Sequence, residues 1–212
     1  MNKIFYIMGK SGTGKDTMFK LLCDDIESGK FLVNDCGIVK PIIMNTTRPK
    51  RTGEIDGLTY NFVTKEQMQK DLMNDKIIEL RTYHTQSDEW HYYTSKDSIK
   101  TDDCSYIALG TPVSYAKMKE IYGDMMVPIM ILVEKDERFL RLVEREKGLE
   151  NPNYLELCRR FLVDEADDSQ FSIERTRELI HDEPIHDFLN DDVYKCYMML
   201  YIFIVDMIRR KE

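Results

Sequence analysis

The ten residues Met8-Gly9-Lys10-Ser11-Gly12-Thr13-Gly14-Lys15-Asp16-Thr17 constrain the fold more than any other stretch of the chain. They follow the apolar run Ile4-Phe5-Tyr6-Ile7 and precede a helical pattern of apolar residues at Met18, Phe19, Leu21 and Leu22. Strand, glycine-rich turn and helix in that order are the setting in which a phosphate loop has physical meaning. Glycine permits the turn and lets backbone N–H groups approach a polyphosphate, while the helix N-terminus adds partial positive charge. Lys15 then supplies a mobile point charge for a phosphoryl group. After the lysine the usual motif has Ser or Thr, whose hydroxyl holds magnesium. Here Asp16 stands there, followed by Thr17, so two readings are open: Asp16 holds the metal through water, or Thr17 is the side chain that helps.

Downstream, the pattern alternates between strands and helices. Residues 38–44 read as a second strand, 45–57 as a polar loop, and 58–63 as a half-buried strand. Thr64 is an expected N-cap for a helix carrying Met68, Leu72 and Met73. Residues 77–83 and 91–94 are expected to pair as a hairpin, giving a small mixed β insert. Strands at 105–109 and 126–133 flank a helix over 113–122. Beyond Glu134 come charged helical stretches at 137–147 and 154–168, then a helix over 173–181, a strand at 185–189 and a final helix from Asp191. The expected fold is therefore α/β: a P-loop NTPase-type parallel sheet flanked by helices, with a small mixed β insert and a helical lid. The chain reads as one domain, its core formed by residues 1–44, 97–134 and 185–212, the insert by 45–96, and the lid and helical region by 135–184.

Charge narrows the possible partners. In 212 residues, 30 Lys and Arg face 38 Asp and Glu, a net charge of −8. That balance argues against a diffuse nucleic-acid or anionic-membrane surface, so any anion site is local. Five widely spaced cysteines without a CxxC pair fit reduced thiols in a cytoplasmic setting. The apolar run 196–205 is too short to span a bilayer as a helix. No signal peptide is read ahead of the first strand.

A second stretch, Thr46-Thr47-Arg48-Pro49-Lys50-Arg51-Thr52-Gly53-Glu54-Ile55-Asp56-Gly57-Leu58-Thr59-Tyr60-Asn61-Phe62-Val63, sets two arginines three residues apart with a tyrosine following. Planar guanidinium donors in that arrangement suit a phosphate dianion. Placed after the phosphate loop, this stretch resembles the guanylate kinase family pattern TTRxxRxGExxGxxYxFV. The resemblance extends through Ile78-Glu79, Tyr92-Tyr93-Thr94-Ser95-Lys96, Arg141-Leu142-Val143-Glu144-Arg145, Arg160-Phe161 and Asn190-Asp191-Asp192. It implies transfer of a phosphoryl group from ATP, with Mg2+, to a nucleoside monophosphate, GMP being favoured. Gly9, Ser11, Gly12, Thr13, Gly14, Lys15, Asp16 and Thr17 would then surround the ATP phosphates, with Asn190 near the donor adenine. Arg48, Arg51, Tyr60 and Tyr92 would grip the acceptor phosphate, and Glu79 and Thr94 would contact its base. Arg145 and Arg160 would close on the moving group. Tyr93 and Arg159 stand as register alternatives to Tyr92 and Arg160.

The chain departs from the family pattern at Met44, where the family has serine, at Gly110, where it has aspartate, and at Asp16. Two rival readings therefore stand beside the kinase: a binding module that has lost turnover, and a kinase for a different small phosphate acceptor. A nearly complete phosphate loop favours an enzyme over the module.

Overall fold

The computed structural model describes residues 2–29, 38–51, 53–84, 88–100 and 104–210. Its main sheet has five strands in the order β2-β7-β1-β8-β9, all parallel. They are β1 (Ile4–Met8), β2 (Ile38–Pro41), β7 (Cys104–Leu109), β8 (Met126–Leu132) and β9 (His186–Leu189). β1 is central, and the residues of β1, β7 and β8 are buried almost throughout. Burial on both faces explains why these strands read as continuous apolar runs.

Alternation then divides their side chains between two cores. Phe5, Ile7, Ile107, Ile129 and Ile131 face α1 (Lys15–Glu27) and α7 (Val193–Arg209), meeting Phe19, Leu22, Cys196 and Leu200. Ile4, Tyr6, Met8, Tyr106 and Met130 face the other way, toward Tyr115 and Met118 of α3 (Pro112–Tyr122). α6 (Ile173–Leu179) lies on this second side: Ile180, which follows it, joins that core, and Gln170 accepts from Val113 N–H at 3.3 Å. The stretch between Asp168 and Pro184 thus buttresses the sheet.

Since β7 flanks β1 on one side and β8 on the other, successive connections leave in opposite directions, which opens a crevice at the carboxyl end of β1. The phosphate-loop motif lies there. Facing it is a second sheet, order β4-β3-β6-β5, formed by β3 (Asn45–Thr46), β4 (Asn61–Phe62), β5 (Ile77–His84) and β6 (Glu89–Ser95). β3 runs parallel to β4 and antiparallel to β6, so the insert is mixed. Thr64 caps α2 (Lys65–Met73), accepting from Gln67 N–H at 3.1 Å. A third small core of Leu142, Leu157 and Phe161 joins α4 (Lys135–Lys147) to α5 (Tyr154–Glu165).

Several boundaries differ from the sequence expectation. The second strand stops at Pro41, although Ile42 N–H still reaches Ile107 O at 2.8 Å, and the supposed loop opens with β3. The strand expected over 58–63 shrinks to β4, because Leu58 and Thr59 bond back to Ile55 O in a turn for which Gly57 takes φ 79°. α5 ends at Glu165, where Ala166 becomes extended, and α6 ends at Leu179, ahead of positive φ at His181 and Asp182. The polar loop expected around residues 85–89 lies partly outside the described residues.

Candidate active site

Local sterics explain the glycines of the loop. A Cβ on Gly9 would stand 2.8 Å from Ile131 O. Gly12 takes φ 87° close beneath Arg138 O, and Gly14 takes φ 85° against the Asn190 amide. Gly14 is also the residue before α1, so it offers no side chain to the first-turn amides of Lys15, Asp16 and Thr17. The loop is braced from behind. Thr13 is buried and its hydroxyl donates to Lys10 O at 2.9 Å, while Asn190 Nδ2 donates to Thr13 O at 2.8 Å. Asn190 Oδ1 is a buried acceptor with no partner among the described residues. Ser11 N–H donates to Asp164 Oδ2 at 2.6 Å, and Ser11 O accepts from Arg138 Nη1 at 2.8 Å. Lys15 Nζ lies 3.2 Å from the carboxylate of Asp16, whose side chain is 63% exposed. Burial opposes ionisation of Asp16, but the charges of Lys15 and Arg145 outweigh it and hold its pKa below the ordinary value.

On the insert, pairing sets which side chains share a face. Thr94 lies opposite Glu79, and Tyr92 opposite Arg81 and Thr46. Tyr93 points to the other side, where its hydroxyl donates to Asp71 at 2.7 Å. The Tyr92 hydroxyl instead accepts from Arg48 Nε at 2.9 Å, and its ring packs edge-on to Tyr60 and Tyr83. Arg48 is buried and paired bidentately with Glu54, at 2.8 and 2.6 Å, with its guanidinium 5.2 Å from the Tyr60 ring centroid. Glu54 also accepts from Arg51 N–H at 2.8 Å, so one carboxylate organises the whole turn. Burial raises the Tyr60 pKa, and the Asp16 charge raises it further.

The helices beyond β8 bring further arginines. Arg160 is held below its ordinary pKa by burial and then by repulsion from Arg145, with Arg51 adding to it. Arg159 is the more exposed of the two and pairs with Glu156 at 2.7 Å, a carboxylate that also stands 3.6 Å from Arg160.

Sequence reasoning had passed over several residues here. Glu54 was visible in the motif, but only as spacing. Arg81 stands two positions after Glu79 on the same strand face and donates to it at 3.0 Å. Arg138 belongs to a charged helix read as part of the lid and was given no role of its own, yet its side chain is 1% exposed, paired with Glu165 and 4.4 Å from the Phe161 ring centroid. The Tyr6 hydroxyl donates to Ser114 Oγ at 2.8 Å and fills the room where a side chain on Gly110 would go.

A parallel α/β sheet with a glycine-rich turn at its carboxyl edge, a mixed β insert bearing Arg48 and Arg51, and a helical pair bearing Arg145 and Arg160 define the α/β class to which nucleotide kinases belong. The family model for guanylate kinase matches residues 1–153. A guanylate kinase from Helicobacter hepaticus is 30% identical over 147 residues, 68% of this chain and 66% of that protein. One from Wigglesworthia glossinidia brevipalpis is 31% identical over 161 residues, 76% of this chain and 71% of that protein. The crystal structure of guanylate kinase from Anaplasma phagocytophilum shares the fold, with a TM-score of 0.60 at 15% identity over 99% of this chain and 88% of that one. The chain belongs to the guanylate kinase family.

Proposed function

We propose that the protein transfers the terminal phosphoryl group of ATP to a nucleoside monophosphate, with GMP as acceptor, giving ADP and GDP. One observation carries this reading: the glycine-rich turn that opens α1 at Lys15 follows the central strand at its carboxyl end, and Arg48, Tyr60 and Tyr92 cluster on the insert, Arg48 Nε donating to the Tyr92 hydroxyl at 2.9 Å with its guanidinium 5.2 Å from the Tyr60 ring centroid. Phosphoryl transfer needs positioning and positive charge around the moving group more than a protein nucleophile.

In this account the loop amides and Lys15 hold the donor phosphates, and Asn190, which braces the loop through Thr13 O, lies near the donor adenine. Arg48, Arg51, Tyr60 and Tyr92 hold the acceptor phosphate, with Glu54 fixing the orientation of Arg48. Glu79 and Thr94 face the base. Arg145 and Arg160 close on the transferring phosphoryl group, with Arg160 standing 3.6 Å from Glu156 and 3.9 Å from Glu146. Closure of α4 and α5 over the crevice excludes water that would otherwise compete as acceptor. Mg2+ suits the donor set, since it takes oxygen ligands from one or two carboxylates together with substrate phosphates, and Asp16 is an exposed carboxylate held ionised beside the loop with Thr17 next to it. When bound there, it would neutralise charge on the phosphates.

A cytoplasmic location is part of this reading, resting on membership of the guanylate kinase family. Among the described residues no helix is long and apolar enough to cross a membrane.

Two substitutions test the acceptor clamp. Because an ammonium does not reproduce a bidentate guanidinium contact, Arg48→Lys should raise the acceptor KM about ten- to a hundredfold and leave the ATP KM nearly unchanged. Movement of the ATP term instead would assign the clamp to the donor side. The tyrosines separate by face: Tyr92→Phe should raise the acceptor KM by up to about tenfold, whereas Tyr93→Phe should lower the melting temperature and leave that KM alone. The reverse pattern would exchange their roles.

A further inference from the structure

The wall that faces the acceptor base, in the reading above, carries a guanidinium as well as a carboxylate. Glu79 and Arg81 lie on one face of β5, with Thr94 opposite Glu79. Arg81 Nε donates to Glu79 Oε2 at 3.0 Å, and Nη2 stands 3.5 Å from Oε1 and 2.9 Å from Met44 Sδ. The Thr94 hydroxyl donates to Oε1 at 2.9 Å. An ionised carboxylate offers roughly four lone-pair sites. Arg81 Nε and Thr94 take two of them and Arg81 Nη2, at 3.5 Å, lies against a third, which leaves Glu79 one unobstructed acceptor site for a ligand. Arg81 Nη1 makes no hydrogen bond among the described residues, and the side chain is 14% exposed where Glu79 is 1% exposed. Elsewhere on this wall stand neutral groups: the Met44 thioether and the Tyr6 phenol, which senses the charges of both Glu79 and Arg81.

We propose that Glu79 and Arg81 form one donor–acceptor pair that reads the keto–imino edge of a base, so that the acceptor class is the keto-base nucleoside monophosphates rather than guanine alone. This rests on the phosphotransferase reading for the placement of the phosphate at Arg48 and Arg51. Guanine presents its O6 carbonyl beside N1–H, and thymine and uracil present O4 beside N3–H. In each, the carbonyl accepts from Arg81 and the imino group donates to the one remaining site on Glu79. Adenine and cytosine reverse this order, setting an amino donor against the guanidinium and a ring-nitrogen acceptor against the carboxylate. Reading the 2-amino group of guanine as well would take a second free acceptor. The wall does not supply it: Gly110 has no side chain, and the space beside it is filled by Tyr6.

The test is calorimetric binding of GMP, UMP, dTMP, AMP and CMP to the wild-type protein and to Arg81→Ala, with ATP turnover measured on the same panel. The wild type should bind GMP, UMP and dTMP within about tenfold of one another, and AMP and CMP at least about tenfold more weakly, the loss typical of one mispaired charged hydrogen bond. Arg81→Ala should weaken UMP and dTMP about tenfold or more and GMP less, because freeing Glu79 restores its second acceptor site for the guanine amino group. Arg81→Gln keeps an amide donor against Glu79 without the guanidinium fork and should move in the same direction if the alanine variant does not fold. Wild-type binding or transfer confined to GMP would overturn the inference and leave the kinase reading intact. Keto-selective binding without transfer to any acceptor would overturn the kinase reading and leave the base pair standing.

Discussion

Lys15→Ala should lower turnover at saturating substrate by about a hundred- to a thousandfold, the range found when one preorganised positive donor is taken from a developing anionic charge. Its melting temperature should stay within about 2 °C of the wild type, the range of a substitution away from the packed core. The reason is positional. Lys15 opens α1 beyond a glycine, among the described residues its ammonium is paired only with the exposed carboxylate of Asp16, and it contributes nothing to the three apolar cores. A variant with unaltered turnover would remove Lys15 from the phosphates and with it the assignment of the loop.

Arg138→Ala should do the opposite, acting on stability first. Its guanidinium is enclosed by the Phe161 ring, Ser11 O and the carboxylates of Asp164 and Glu165, so deletion leaves a partly buried carboxylate short of its partner and a void beside α5. Breaking a buried pair costs about 3–5 kcal/mol. Glu165 retains Lys10 at 2.6 Å and Lys135 at 3.4 Å, which places this loss near the low end, about 3 kcal/mol. For a chain of this size that is a fall of about 6–12 °C in melting temperature. Folded variant protein should also turn over more slowly, because Ser11 O loses the donor that ties the phosphate loop to α4. An unchanged melting temperature would show that the network of Arg138, Glu165 and Lys10 contributes nothing net.

These two residues also mark what was legible in the sequence. The strand, glycine-rich turn and helix around Lys15 could be read because they are contiguous in the chain. The core strands were readable for a related reason: burial on both faces makes them unbroken apolar runs. The mixed insert was read as a whole but not at its edges, since β3 and β4 are two residues each and take their register from distant partners. Arg138 was illegible because the amphipathic pattern of α4 gives the same charged signature whether an arginine meets water or a loop some 127 positions earlier in the chain. Arg81 was hidden in another way. Alternation placed it beside Glu79, but only the fold shows that it occupies most of that carboxylate. Tyr6 compensates for Gly110 across more than a hundred residues, a relation that no local pattern carries.

The most direct test of the central claim follows both products at once by phosphorus NMR, with purified wild-type protein, ATP, magnesium and GMP. The account predicts GDP and ADP appearing in equal amounts, with little free phosphate and with at most about one hundredth as much GDP when Lys15→Ala replaces the wild type over the same interval. Release of inorganic phosphate without GDP, or full consumption of GMP by the Lys15→Ala variant, would contradict it.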